Sequence, residues 1–227
     1  MLRAEDIEVR YGAVAAVRGV SLQVGDGEVV ALLGPNGAGK TSLLRAVSGL
    51  VRHSGRVSVD DVAYQKPDRA FGSGIVHVPQ GRGLFRRLSV AQNISLGAAG
   101  KRVGSVALAV QRIPELETWW RRRVGSLSGG EQVLVALGRL IAGRPRFALV
   151  DELSLGLAPI ARDRVDDELR RLRADGVGIV VVDQHAPRAL DLADRVIVLE
   201  RGSVVISSRA DKVSSDRIAG LATGVSR

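Results

Sequence analysis

The chain contains no cysteine. That excludes disulfides, thiolate nucleophiles and cysteine-ligated metals. It has three histidines in 227 residues, His53, His77 and His185, scattered at no familiar metal-ligand spacing. Aromatic residues make up only 3%. Trp119-Trp120 followed by Arg121-Arg122-Arg123 is an isolated cluster, and few other aromatics are present to build a base-stacking surface around it. No apolar run approaches the roughly 20 residues that span a bilayer. The opening "MLRAEDIEVRYG" lacks a signal-type apolar segment. These absences predict a protein made and kept in the cytosol. Acid is also scarce: 33 Lys and Arg face 24 Asp and Glu, a net charge of +9. A solvated, Arg-rich surface is the plain reading, because net charge governs solubility and non-specific attraction.

What is present describes a globular chain. Hydrophobic residues make up 45%, and the length suits one α/β domain or a core with a small insertion. "IEVRYG" and "VSLQV" alternate partially and read as strands split by segment 12–19. Gly25-Asp26-Gly27 is a turn, and Glu28 to Leu33 a buried strand. "GPNGAGKTSLLRAVSGL" is a glycine-rich loop entering a helix. "GRVSVDDVAY" resumes strand alternation, and "GIVHVPQG" is a strand broken at Pro79. From Leu88 to about Ile113 the pattern is helical. The apolar helix "VLVALGRLIAG", the buried strand "RFALVDE", a charged helix over 159–173 and the strand "GVGIVVVDQH" follow. "RALDLADR" reads as helix and "VIVLERGSVVIS" as a hairpin turning at Arg201-Gly202. Strands alternating with helices predict an α/β fold with a mostly parallel sheet. The segment at about 84–127 interrupts that alternation and reads as a helical subdomain inserted in one domain, 1–227.

Three motifs carry chemistry. "GPNGAGKT", Gly34 to Thr41, fits G-x-x-x-x-G-K-[ST] between a strand and a helix. Gly34, Gly37 and Gly39 let backbone N–H groups crowd phosphate oxygens, and the helix start adds positive charge. Lys40 is expected on the β- and γ-phosphates and Thr41 on Mg²⁺. In "FALVDE", Asp151 emerges at a strand tip to hold Mg²⁺ through water, and Glu152 to polarise the attacking water. In "SLSGGEQ", Ser128 and Glu131 satisfy a capping box, while Gly129 and Gly130 leave first-turn N–H groups accessible. That is a second anion site. Two such sites make sense if each nucleotide is shared by two copies of the fold.

"GPNGAGKT", then "LSGGE", then "VDE", then a polar strand tip resemble the ATPase subunit of an ABC transporter over nearly the whole chain. The resemblance implies a P-loop NTPase core sheet, an N-terminal antiparallel β subdomain, and ATP with Mg²⁺ between the loop of one subunit and the "LSGGE" helix of another. It carries nucleotide contact to Gly34, Pro35, Asn36, Gly37, Ala38, Gly39, Lys40, Thr41 and Ser42, and to Ser128, Gly129, Gly130 and Glu131. Tyr11 matches the aromatic that stacks on adenine. Gln80 matches the glutamine that touches Mg²⁺ and the attacking water. Leu84, Phe85 and Leu88, in "GLFRRLSVAQNISLG", match a permease-contacting stretch or are plain core. At the tip "VVVDQH", register puts Gln184 at the γ-phosphate switch, with His185 one residue later if the register slips.

"SLGLAPI" and "LDLADRVIVLERG" narrow the resemblance to importer ATPases for branched-chain amino acids and related solutes such as urea. That implies permease subunits, a solute-binding protein and a second ATPase subunit, alike or different, as partners. It implies no nucleic acid, and a place on the inner face of the cell membrane. Three departures stand out: Leu153 where the family has Pro, expected to loosen the turn that sets Glu152; Ala158 where Asp is common; and segments 56–75 and 97–118, which look short. Two rival readings remain. One is a soluble ABC ATPase acting on DNA or ribosomes, without the long coiled coil or fused second half usual there. The other is a nucleotide-gated scaffold, suggested by Leu153 and the missing switch histidine.

Overall fold

The computed structural model describes residues 1–98, 105–214 and 218. The chain opens with β1 (Leu2–Tyr11) and β2 (Val14–Val24), an antiparallel pair. β3 (Val29–Leu33) follows, then helix α1 (Lys40–Val47), then the hairpin β4 (Ser54–Val59) and β5 (Val62–Tyr64). β2, β1, β4 and β5 lie in that order in a four-stranded antiparallel sheet. Helix α2 (Pro67–Gly72) leads to β6 (Ile75–Val78). Three short helices, α3 (Val90–Gly97), α4 (Ser105–Arg112) and α5 (Glu115–Thr118), precede the long α6 (Gly129–Ala142). β7 (Phe147–Asp151), α7 (Pro159–Ala174), β8 (Gly178–Val182), α8 (Ala186–Leu192), β9 (Arg195–Glu200) and β10 (Ser203–Arg209) complete the fold.

The second sheet runs β10-β9-β3-β8-β7-β6, with five parallel strands and β10 antiparallel at its edge. Every residue of β3, β7 and β8 is buried, because a parallel sheet is covered on both faces. Strand alternation feeds two cores. Val30, Leu32, Phe147, Leu149, Val180 and Val182 pack with α1 and the antiparallel sheet. Val29, Ala31, Ala148, Val150, Ile179 and Val181 pack with α6, α7 and the helices between β6 and α6.

One expectation is corrected. Segment 12–19 does not split the strands: only Gly12 and Ala13 turn, and β2 starts at Val14 opposite Tyr11. Small residues there still ladder against β1, as Ala15 does with Arg10. Helix α2, with Pro67 in its first turn, lies between two predicted strands, where no element is predicted. The helical reading from Leu88 to Ile113 and the shortness of 97–118 lie partly outside the described residues, at 99–104. The C-terminal ends of β3, β6, β7 and β8 converge on one edge, where open α/β sheets bind ligands.

Candidate active site

The glycine-rich loop leaves β3 at Gly34. Gly34 and Gly39 have φ of 139° and 105°, a region side chains avoid. A Cβ on Gly34 would lie 2.1 Å from the Leu199 carbonyl oxygen, and one on Gly39 2.4 Å from that of Ala16. Only glycine fits either place. Asn36 and Gly37 are exposed at the crest, Gly34 and Pro35 are half-buried, and Ala38 is buried below. Lys40 is 5% exposed. Its ammonium donates to the carbonyls of Gly34 at 2.7 Å and Pro35 at 3.0 Å. Burial lowers its pKa, and the carboxylates of Glu152 and Asp151 oppose that shift. Gly39 caps α1 without a side-chain acceptor, and the first turn carries no acid. Thr41 and Ser42 sit half-buried in that turn. Open amides, a helix N-terminus and a buried ammonium together form an anion cradle.

Asp151 ends β7 fully buried, and neither carboxylate oxygen has a hydrogen-bond partner among the described residues. Burial raises its pKa. The Thr41 hydroxyl, the Lys40 charge and the Gln80 backbone face it and oppose the rise without closing a hydrogen bond of normal geometry. A buried carboxylate left bare costs several kcal/mol, which a cation offsets. One carboxylate, a hydroxyl and adjacent phosphate oxygens suit Mg²⁺, which keeps several waters. Among the described residues no group of three or more acidic or histidine side chains could hold a metal alone. The donor set therefore fits a cation shared with phosphate.

Glu152 is 8% exposed and holds φ 49°. Its Oε2 accepts from Gln80 Nε2 at 2.8 Å, and its Oε1 from Gln184 Nε2 at 2.9 Å. Gln184 Nε2 also lies 3.4 Å from Asn36 Oδ1 on the loop crest. The structure thus brings Gln80, Glu152, Gln184 and the loop to one point. His185 turns elsewhere: its Nδ1 accepts the Arg188 N–H at 3.4 Å and caps α8. Leu153 is 3% exposed in the core with Leu157, and the Glu152 N–H donates to Val182 at 3.1 Å. A proline at 153 would push residue 152 toward extended backbone, whereas leucine leaves Glu152 free to hold its left-handed conformation. Ala158 begins α7 without a side-chain cap.

Other predicted residues stand apart from this point. Tyr11 ends β1 with 46% of its surface exposed, on a hairpin whose Ala16 abuts Gly39. Ser128 Oγ accepts the Glu131 N–H at 3.3 Å, and Glu131 Oε2 accepts the Ser128 N–H at 2.6 Å. Gly129 is exposed and Gly130 half-buried beside this capping box. Among the described residues no hydrogen bond joins Ser128 to Glu131 with the loop or with Glu152. Phe85 is exposed with the Arg139 guanidinium 5.4 Å over its ring, whereas Leu84 packs on the core and Leu88 is half-buried.

Sequence reasoning missed two arginines. Arg82, at φ 74°, donates to Gln132 Oε1 at 3.1 Å on α6. Arg188 joins Asp166, Asp183 and Ser154. Only the run of glycines around Arg82 signals an unusual backbone, and nothing local signals Arg188.

Residues 17–154, more than half of the chain, match the model of the ABC transporter family. The chain is 36% identical over 217 residues to the high-affinity branched-chain amino acid transport ATP-binding protein BraG of Pseudomonas aeruginosa, covering 91% of each. It is 32% identical to the lipopolysaccharide export system ATP-binding protein LptB of Escherichia coli, over 95% of this chain and 93% of that one. Among solved structures, an ATP-binding cassette of an ABC transporter in its ADP conformation superposes with a TM-score of 0.80 at 25% identity, over 98% of this chain and 94% of that one. The glycine cradle, the acidic strand tip and these matches agree: the chain belongs to the ABC transporter family, as one of its ATP-binding, ATP-hydrolysing subunits.

Proposed function

We propose that this subunit hydrolyses ATP with Glu152 as the base for the attacking water, and thereby powers uptake of branched-chain or related amino acids through a separate permease. The observation that carries the chemistry is the Glu152 carboxylate held between Gln80 at 2.8 Å and Gln184 at 2.9 Å, beside the phosphate cradle. Both amides donate to the carboxylate, so it is fixed in orientation before substrate arrives. Lys40 releases its two loop carbonyls and turns to the β- and γ-phosphates. Asp151 and Thr41 would hold Mg²⁺ together with Gln80. Mg²⁺, when bound, neutralises charge on the phosphate oxygens. Gln184 donates its amide to the γ-phosphate, though it carries no titratable proton. Tyr11 stacks on adenine. The remaining side of the nucleotide is met by Ser128, Gly129, Gly130 and Glu131 of a second ATPase subunit, whose open helix start suits phosphate. Catalysis is then mostly positioning and electrostatic stabilisation.

The solute rests on similarity. "SLGLAP" and the likeness to BraG favour amino-acid import. In this reading a separate permease carries the solute and this subunit sits on the membrane's inner face; no described helix is long and apolar enough to cross a membrane. Phe85, exposed beside Leu84, offers the permease an apolar contact. Affinity purification from native membranes with mass spectrometry tests this. A co-purifying permease and solute-binding protein support import. An export-type membrane partner, ribosomes or repair factors contradict it.

A further inference from the structure

Behind the hydrolytic pair lies a charge cluster that the scheme above does not use. The Arg188 side chain is 13% exposed, and those of Asp166 and Asp183 are each 11% exposed. Arg188 Nε donates to Asp166 Oδ2 at 2.7 Å, and its Nη2 donates to the other Asp166 oxygen. Its Nη1 donates to both Asp183 Oδ2 and Ser154 Oγ. The Ser154 hydroxyl reaches Asp183 Oδ2 at 3.2 Å. The second Asp183 oxygen accepts the His185 N–H at 2.8 Å. One guanidinium therefore ties α7, α8, the tip of β8 and the loop after β7.

Two of its partners border the reactive pair. Asp183 directly precedes Gln184, and Ser154 lies two residues beyond Glu152. Gln184 is itself exposed and outside any helix or strand. Among the described residues its side chain bonds Glu152 and, at 3.4 Å, Asn36. The next backbone N–H, that of His185, is held by Asp183, and Asp183 by Arg188. A cavity of about 270 Å³ borders this turn, lined by Glu152, Ser154, Leu155, Asp183, Gln184 and Arg188. The residue 183–185 turn thus has space to move into.

We infer that Arg188 is a positioning residue for hydrolysis: it holds the 183–185 turn so that Gln184 meets Glu152, and it links that contact to the loop from Ser154 to Ala158. This rests on the reading of Glu152 and Gln184 as the hydrolytic pair. Without the guanidinium, two buried carboxylates lose their counter-charge. They relax toward water and draw the turn with them. A lysine at 188 supplies one point charge and cannot divide itself between two carboxylates as the planar fork does.

The test uses the full chain with Mg-ATP and measures kcat, ATP affinity and thermal midpoint. Arg188→Lys tests the fork. Arg188→Gln with Asp166→Asn removes charge from both sides, so that the fold survives if one variant alone proves unstable. Each is expected to lower kcat about tenfold, with ATP affinity within about twofold of wild type. In a Gln184→Ala background the same changes are expected to cost nothing further, because their effect passes through Gln184. A fold-only role predicts a full additional loss there, and that result overturns the inference. So does a slowed Gln184→Ala beside unslowed Arg188 variants, which overturns this inference alone. An unslowed Gln184→Ala overturns the reading of the pair and the inference with it.

Discussion

Glu152 occupies a left-handed conformation at φ 49°, which costs a non-glycine residue about 1–2 kcal/mol. Packing of Leu153 and hydrogen bonds donated by the Gln80 and Gln184 amides hold it there. We therefore predict that Gln184→Ala slows hydrolysis by about tenfold or more, while His185→Ala, which only uncaps a short helix, slows it far less. ATPase assays of the two variants check this, and the reverse order would mean that the contact to Glu152 is not the one used. A second residue-scale prediction concerns His77. Its Nε2 is buried without a partner among the described residues, and its Nδ1 lies 2.9 Å from Ser48 Oγ. Burial, with a smaller push from Arg45, lowers its pKa from 6.5 to about 4. The folded state thus keeps His77 neutral where the unfolded chain takes up a proton. Stability from this group is complete above about pH 6.5 and is lost as pH falls toward 4, on the order of 3 kcal/mol at most. Thermal midpoints of wild type and His77→Gln at pH 7.5 and 5 measure it. The wild type should lose more on acidification.

At the scale of elements, α7 starts without a side-chain cap. Its N-cap is Ala158, with no acid in the first turn. Ala158→Ser is predicted to stabilise the chain by about 1 kcal/mol, read as a higher thermal midpoint. The contrast is α6, whose capping box was legible in "SLSGGEQ" because Ser128 and Glu131 stand three apart in the chain. A second box at Ser89 and Gln92 has the same form and went unread. Core strands were legible because continuous apolar runs such as Val29 to Leu33 leave few alternatives. The extent of β2 was hidden by small residues whose ladder depends on β1, and α2 by its six-residue length. Within the site, the glycine loop and acidic tip were legible as local motifs. The Arg188 cluster was not, because Asp166 and Ser154 lie 22 and 34 residues from it.

At the scale of the whole molecule, the site residues divide into two groups. Gln80, Glu152, Gln184 and the loop meet at one point, while Ser128 to Glu131 open elsewhere. Gln80 bonds Glu152 of the first group, and two residues on Arg82 bonds Gln132, the neighbour of Glu131 on α6. Such a division calls for a second copy or a sister subunit to complete each nucleotide. ATP is therefore predicted to dimerise the Glu152→Gln chain, which binds without turnover, and Ser128→Arg to weaken that dimer. Size-exclusion chromatography with light scattering, with and without Mg-ATP, reads both effects.

The central claim is that Glu152, held by two glutamine amides, is the hydrolytic base. The most direct measurement is steady-state ATP hydrolysis by the purified chain and by Glu152→Gln, with nucleotide binding measured in parallel. The account predicts Mg²⁺-dependent turnover in the wild type. It predicts a loss of about 100-fold or more in Glu152→Gln, with ATP binding retained. Turnover in Glu152→Gln equal to that of the wild type would contradict it.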